Sequence, residues 1–289
     1  AEKIIQNKKK KSINYENVWL KIYNVPVVYF PKFFHPDPTV KRQSGFLMPT
    51  FKNSPNNNTF LSMPYYKVLS ENKDLTFTPR FYAKDKLLLQ SEYREVNKDN
   101  NIKSDVSILN DSNDFKSHFY YKFFKNFNFK NFENNTVDIN IQQTSNDTYL
   151  KANKLVSPLI NSYDILENSI GIKMNSENTS IDADLIVYEN LNKISSDRYE
   201  YIYPKIDFTK KIKNQTNLVG NFLFKSNNYM QNYETNIFEK VKINDLIFNS
   251  DPKITKKGFY NNYEFLLKNS NSSSENSSNF KNGEDLYFS

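Results

Sequence analysis

Cysteine is absent from the 289 residues, so the chain has no disulfide frame and no thiolate chemistry. Histidine occurs twice, as His35 and His118, far apart in sequence. Without cysteine partners they give little support to a metal site, and both read as ordinary polar residues. Glycine is also scarce, at 5, so Asn, Asp and Ser must build most of the turns. No nucleophile elbow, Walker or dinucleotide fingerprint occurs. The net charge of +7 invites a nucleic-acid reading, but the basic residues are scattered and no zinc, RNP or helix-turn-helix pattern accompanies them. We therefore expect no nucleic-acid partner, no cofactor, no metal and no catalysis. No run approaches the ~18 apolar residues of a spanning helix, which leaves a membrane β-barrel open, since its strands give a weaker hydropathy signal.

Aromatic residues, by contrast, are plentiful. They make up 16% of the chain, with 24 Phe and 20 Tyr, beside 25% charged residues. Disordered segments are aromatic-poor, so this mixture argues for structure. It suits antiparallel strands with one apolar and one wet face.

The period-2 signal is widespread. Val18, Leu20 and Ile22 alternate with Trp19, Lys21 and Tyr23, after a basic run from Lys8 to Lys11 that reads as a solvated turn. Pro26, Pro31, Pro36 and Pro38 then predict a semi-rigid connector. From Ser44 onward, alternating segments predict strands over 45–51, 59–69, 74–82 and 87–96. In the third, Leu75, Phe77 and Phe81 oppose Thr76, Thr78 and Arg80. Further stripes run through Val137–Gln142, Ile181–Val187, Leu218–Phe224, Val241–Phe248 and Gly258–Leu267. Polar loops are expected at 53–58, 97–101, 111–114 and 270–279. That makes roughly a dozen strands, each near the ~9–11 residues a tilted membrane strand needs. Carboxylate pairs such as Asp182/Asp184 and Glu92/Glu95 could suggest glycosidase work, but the first pair sits on the polar face of a strand, where solvation explains it.

Three predicted strands carry an internal proline: Pro49, Pro64 and Pro79. Proline removes a ladder donor and is confined to sheet edges, strand starts and bulges. Two readings follow: edge and bulge markers, or a seam where adjacent strands separate with few hydrogen bonds to break.

The stretch VPVVYFPKFFHPDPTVKRQSGFLMP (25–49) resembles the junction between jelly-roll and barrel in the LptD family of lipopolysaccharide-assembly outer-membrane proteins. MPYY, DLTFTPRFY and SEYR are similar to that family's second to fourth barrel strands. QTSNDTYL (143–150), YIYPKIDF (201–208) and the Gly258–Phe259 strand follow in a consistent order. Asn146 stands where the family segment has Asp.

The resemblance implies an all-β chain, with antiparallel strands forming about half of a large transmembrane barrel wall. Residues 1–34 would be the end of a periplasmic β-jelly-roll and its connector, and 35–289 the N-terminal part of the barrel. It also implies an internal piece of a longer protein, an expectation that the opening Ala1 suits. The function implied is insertion of lipopolysaccharide into the outer leaflet through a lateral gate beside Pro49 and Pro64. Lys41, Arg42 and Arg80 are candidate head-group contacts. The partners implied are a plug lipoprotein resembling LptE and a periplasmic jelly-roll bridge resembling LptA. Two other classes stay open: an outer-membrane porin or receptor barrel, and a soluble secreted β-rich binding domain. The stripes alone do not say whether the apolar face meets lipid or a second sheet.

Overall fold

The computed structural model describes residues 2–7, 12–22, 25–37, 40, 42–52, 59–82, 86–111, 114–213, 219–234, 236–278 and 280–289. Strands dominate it, at 72% of the chain against 3% helix. The alternation in the sequence becomes hydrogen-bonded β ladder almost everywhere.

Strands β1 (Lys3–Asn7), β2 (Ser12–Ile22) and β3 (Val25–Pro36) form a separate three-stranded sheet. Here the connector expected over the prolines is corrected, because β3 runs through Pro26, Pro31 and Pro36. It can do so as an edge strand paired only with β2, which leaves one side free of donors. The ladder skips Asn17, at φ 53°, and Pro31 between Glu16↔Lys32 and Val18↔Phe30, and its register shifts between Leu20 and Lys21.

The second sheet begins with short strands β4 (Gly45–Phe46), β5 (Thr50–Lys52), β6 (Phe60–Ser62) and β7 (Tyr65–Ser70). Longer ones follow: β8 (Lys73–Tyr82), β9 (Leu87–Val96), β10 (Asn100–Asp111), β11 (Asp114–Phe129) and β12 (Phe132–Thr144). A helix, α1 (Tyr149–Asn153), intervenes before β13 (Ile165–Asn175) and β14 (Thr179–Asn190). After a 3-10 turn at Ser195–Arg198 come β15 (Tyr199–Ile212), β16 (Gly220–Tyr233) and β17 (Ile237–Ser250). A small hairpin of β18 (Lys253–Ile254) and β19 (Tyr260–Asn261) precedes β20 (Glu264–Glu275) and β21 (Gly283–Phe288). Sixteen of these strands make one antiparallel sheet in sequence order, from β4 and β5 at one end to β21 at the other. Among the described residues those two ends are not paired with each other.

Two expected loops shrink. The turn at 97–101 ends where β10 starts at Asn100, and the Ser-rich 270–279 stretch is mostly β20, whose Ser272 pairs Val241 on β17. Ladder hydrogen bonds use the backbone alone, so polar side chains do not prevent a strand. The expected strand at 258–267 is split instead, with Gly258 at φ 81° closing the β18–β19 turn. The loop at 53–58, the Lys8–Lys11 run, Tyr23 and Leu218 lie outside the described residues.

The two faces of the large sheet differ. The apolar face stays exposed: Phe77 (40%), Phe81 (50%), Phe119, Ile141, Ile170, Leu185 and Phe265 all stand on it uncovered. The polar face carries the core. There Tyr82, Leu88, Leu109 and Tyr120 meet Tyr149, Leu150, Leu155 and Leu159 of the β12–β13 connection, which folds back over the sheet. A water-soluble sheet buries its apolar face, so this arrangement is inverted. It is the pattern of a wall with lipid outside and polar groups within.

Candidate functional site

The edge of the large sheet is built from interrupted strands. The expected first strand, 45–51, is cut into β4 and β5 around Pro49, and the expected second, 59–69, into β6 and β7 around Met63 and Pro64. β4 pairs β7 only at Gly45↔Tyr66 and Phe46↔Tyr65, and β5 pairs β6 only from Thr50↔Ser62 to Lys52↔Phe60. By contrast β8 and β9 pair without a break from Lys73↔Glu95 to Phe81↔Leu87. At the interruptions single hydrogen bonds span the gap: the Leu47 amide donates to Pro64 O at 2.8 Å, and the Met63 amide to Pro79 O at 3.1 Å. Pro64 and Pro79 therefore contribute acceptors and no donors. Pro79 itself stays inside β8, opposite Leu89. Around Pro49 the edge is apolar, with Phe46, Leu47, Met48 and Phe51 all exposed. Soluble proteins blunt such edges with charges.

On the polar face beside this edge lies an open cleft of about 410 Å³, lined by Lys52, Ser62, Pro64, Thr78, Arg80 and Lys154 among others. Arg80 is 7% exposed: its Nη1 donates to Asn153 O at 2.9 Å, and its guanidinium lies 5.2 Å from the Phe60 ring centroid. It thus holds the β12–β13 connection as well as facing the cleft.

Arg42 is placed elsewhere. It ion-pairs with Asp74, donates through Nε to Tyr66 Oη at 3.0 Å, and donates through Nη1 to Glu71 O at 2.7 Å. Asp74 also accepts from Arg94 Nε at 2.7 Å. Pro64 and Arg80 thus share the cleft, Pro49 lies at the edge beside it, and Arg42 belongs to a neighbouring charged cluster. Lys41 lies outside the described residues.

The 145–164 connection and its anchor are absent from the sequence reading. Ser107 Oγ lies 2.6 Å from His118 Nδ1 and 2.5 Å from Tyr149 Oη, and His118 Nε2 faces Asp105 Oδ1 at 3.3 Å. Gln90 Nε2 donates to both Asp105 oxygens, at 3.1 and 3.0 Å, and to Val156 O at 3.1 Å. Burial pushes the Tyr149 hydroxyl up to about 12, so it stays a neutral hydrogen-bonding group. The signal in the sequence was strand parity: Gln90, Asp105, Ser107 and His118 are all polar-face positions, and Leu150, Leu155 and Leu159 follow in a stretch without alternation. Asp182 and Asp184 share the polar face of β14, where Asp182 accepts from Lys173 Nζ at 2.8 Å. Among the described residues no cluster suited to a metal ion occurs. No helix among them is long and apolar enough to cross a membrane, which says nothing of a β-barrel.

No family model matches the chain. Curated relatives do. It is 38% identical over 98 residues to the LPS-assembly protein LptD of Pseudomonas entomophila strain L48, covering 34% of this chain and 10% of that protein. Against the protein of the same name from Pseudomonas fluorescens Pf-5 it is 38% identical over 95 residues, or 33% and 10%. For Pseudomonas syringae pv. tomato DC3000 the figures are 39% over 98 residues, 34% and 10%. The matched stretch thus spans about a tenth of these relatives' length. Over about a third of its own length, this chain is homologous to the LPS-assembly protein LptD family.

Proposed function

We propose that this chain is part of the wall of an outer-membrane β-barrel that inserts lipopolysaccharide into the outer leaflet, with the exit at the β4–β7 edge. The observation that carries the reading is the pair of interruptions at Pro49 and Pro64 in the two outermost strand positions. A strand closing the barrel there would find few amide donors, so the join would be weak and separable. The apolar edge suits acyl chains, and the adjoining polar cleft with Lys52, Arg80 and Lys154 suits an anionic head group. Arg42, and Lys41 beside it in sequence, complete the head-group contacts of this reading.

In this reading residues 1–34 end a periplasmic jelly-roll, to which a bridge protein resembling LptA would deliver the lipid. A plug lipoprotein resembling LptE would fill the lumen. The protein's own role is translocation, with no bond made or broken. A soluble binding domain fits poorly, because an uncovered apolar face of this extent is unfavourable in water. A porin would share the wall but has no use for an interrupted edge.

The test is replacement of both prolines, as Pro49→Val with Pro64→Val, in cells that depend on this protein. Barrel assembly should persist while surface lipopolysaccharide falls several-fold. Normal surface lipopolysaccharide with both valines in place would sink the gate.

A further inference from the structure

On the polar face of the large sheet, two lysines stand directly opposite the carboxylate they ion-pair. Lys173 faces Asp182 with Nζ 2.8 Å from Oδ2, and Lys268 faces Asp245 at 3.3 Å. One row sets cation against cation twice in succession. Arg94 on β9 sits directly opposite Lys103 on β10, and Lys103 sits directly opposite Lys122 on β11. Three cations therefore stand side by side, where like charges in direct opposition are destabilising. Arg94 shares Asp74 with Arg42 and lies 3.6 Å from Glu92, but among the described residues neither Lys103 nor Lys122 makes an ion pair. Of the neighbouring carboxylates, Asp105 is fully buried and hydrogen-bonded by Gln90, and Glu92 lies against Arg94. Beside Arg94 and Lys103 opens a cavity of about 500 Å³.

We propose that the row Arg94–Lys103–Lys122 is a binding site for a phosphate-bearing, multiply charged anion. Adjacent strands lie ~4.8 Å apart, so the three cations offer successive contacts along a line across the sheet. That spacing lets two phosphates on one ligand be held at once, each by a charge-assisted hydrogen bond. The site lies on the same face as the cleft at the strand edge and borders it on β9, where Glu92 lines the cleft two residues from Arg94. It deepens the lipopolysaccharide reading and rests on it for the natural ligand. The row's chemistry fits a phosphorylated lipid head group or free pyrophosphate alike.

The experiment is titration calorimetry on the full chain in detergent micelles, with a diphosphorylated lipopolysaccharide glycolipid, its dephosphorylated form, and inorganic pyrophosphate. Lys103→Gln with Lys122→Gln should weaken the diphosphorylated ligand by about tenfold or more, and wild-type affinity should fall as salt rises. The double Lys→Arg variant, which keeps both charges, should bind as wild type. Lys116→Gln, which removes a cation already paired with Asp114, should change nothing. The dephosphorylated form should bind wild type and the Gln variant equally. If pyrophosphate shows the same dependence on the row, free phosphate suffices; if only the lipid does, the head group is the ligand. Both results support the site. Equal affinity of wild type and the Gln double variant for every probe overturns it, as does an equal loss with Lys116→Gln. Either failure would leave the seam untouched, because the proline variants are read by surface lipopolysaccharide and not by affinity.

Discussion

Arg198 shows how single residues hold the folded-back 145–164 segment. From the 3-10 turn, its Nη2 donates to Asp147 Oδ1 at 2.6 Å and its Nε donates to Glu189 Oε1 at 2.7 Å. The guanidinium holds the Asp147 carboxyl below the usual carboxylate range, and hydrogen bonds from Lys151 and Asn192 do the same for Asp164. A carboxyl whose pKa is lower folded than unfolded lends stability above its ordinary pKa, about 3.9, and loses it as pH falls through the folded value. Hydrogen-exchange protection of residues 145–148 should therefore hold from pH 7 to pH 5 and drop below about pH 4. Arg198→Gln should lower protection already at pH 6 and flatten that profile; an unchanged profile would remove Arg198 from the anchor. Much at this scale was legible. Parity put Arg80 with Thr76 and Thr78 on one side and Leu75, Phe77 and Phe81 on the other, and the structure keeps that division. It could not say that Asn153, 73 residues away, would cover Arg80.

Among elements, the 145–164 connection is the one the sequence concealed. It has no strand period, and α1 is only five residues long, too short to declare itself by periodicity. Its stability comes from tertiary burial: Leu150 and Leu155 are fully buried against Leu88, Leu109 and Tyr120 of the sheet. Leu150→Ala should cost about 2–5 kcal/mol where such a side chain is fully enclosed. The loss should fall on docking of this segment, read as faster limited proteolysis within 145–164 while the sheet's far-ultraviolet circular dichroism is retained. Uniform loss of the sheet signal instead would mean that the segment and wall unfold as one unit. The prolines divide by the same physics. In β3 they are tolerated on a free edge, at Pro49 and Pro64 they interrupt the strands, and Pro79 is accommodated within β8 because its carbonyl still accepts from Met63.

For the whole molecule, the exposed apolar face is the decisive feature. In a soluble protein a charge placed on an exposed residue is close to neutral, whereas on a lipid-facing strand it costs about 2–4 kcal/mol near the bilayer midplane. Ile170, in the middle of β13 on that face, is the place to measure it. Ile170→Lys should destabilise the vesicle-inserted protein against urea by that amount, and a shift near zero would mean the face meets water.

The sequence by itself determined the strands, their two unlike faces and the kinship, because side-chain period and local motifs are short-range properties of the chain. Only the tertiary structure decided that the apolar face is left bare, that residues 145–164 fold over the polar one, and that Arg94, Lys103 and Lys122 come side by side. Those outcomes depend on register between strands and on contacts dozens of residues apart, which no local pattern encodes.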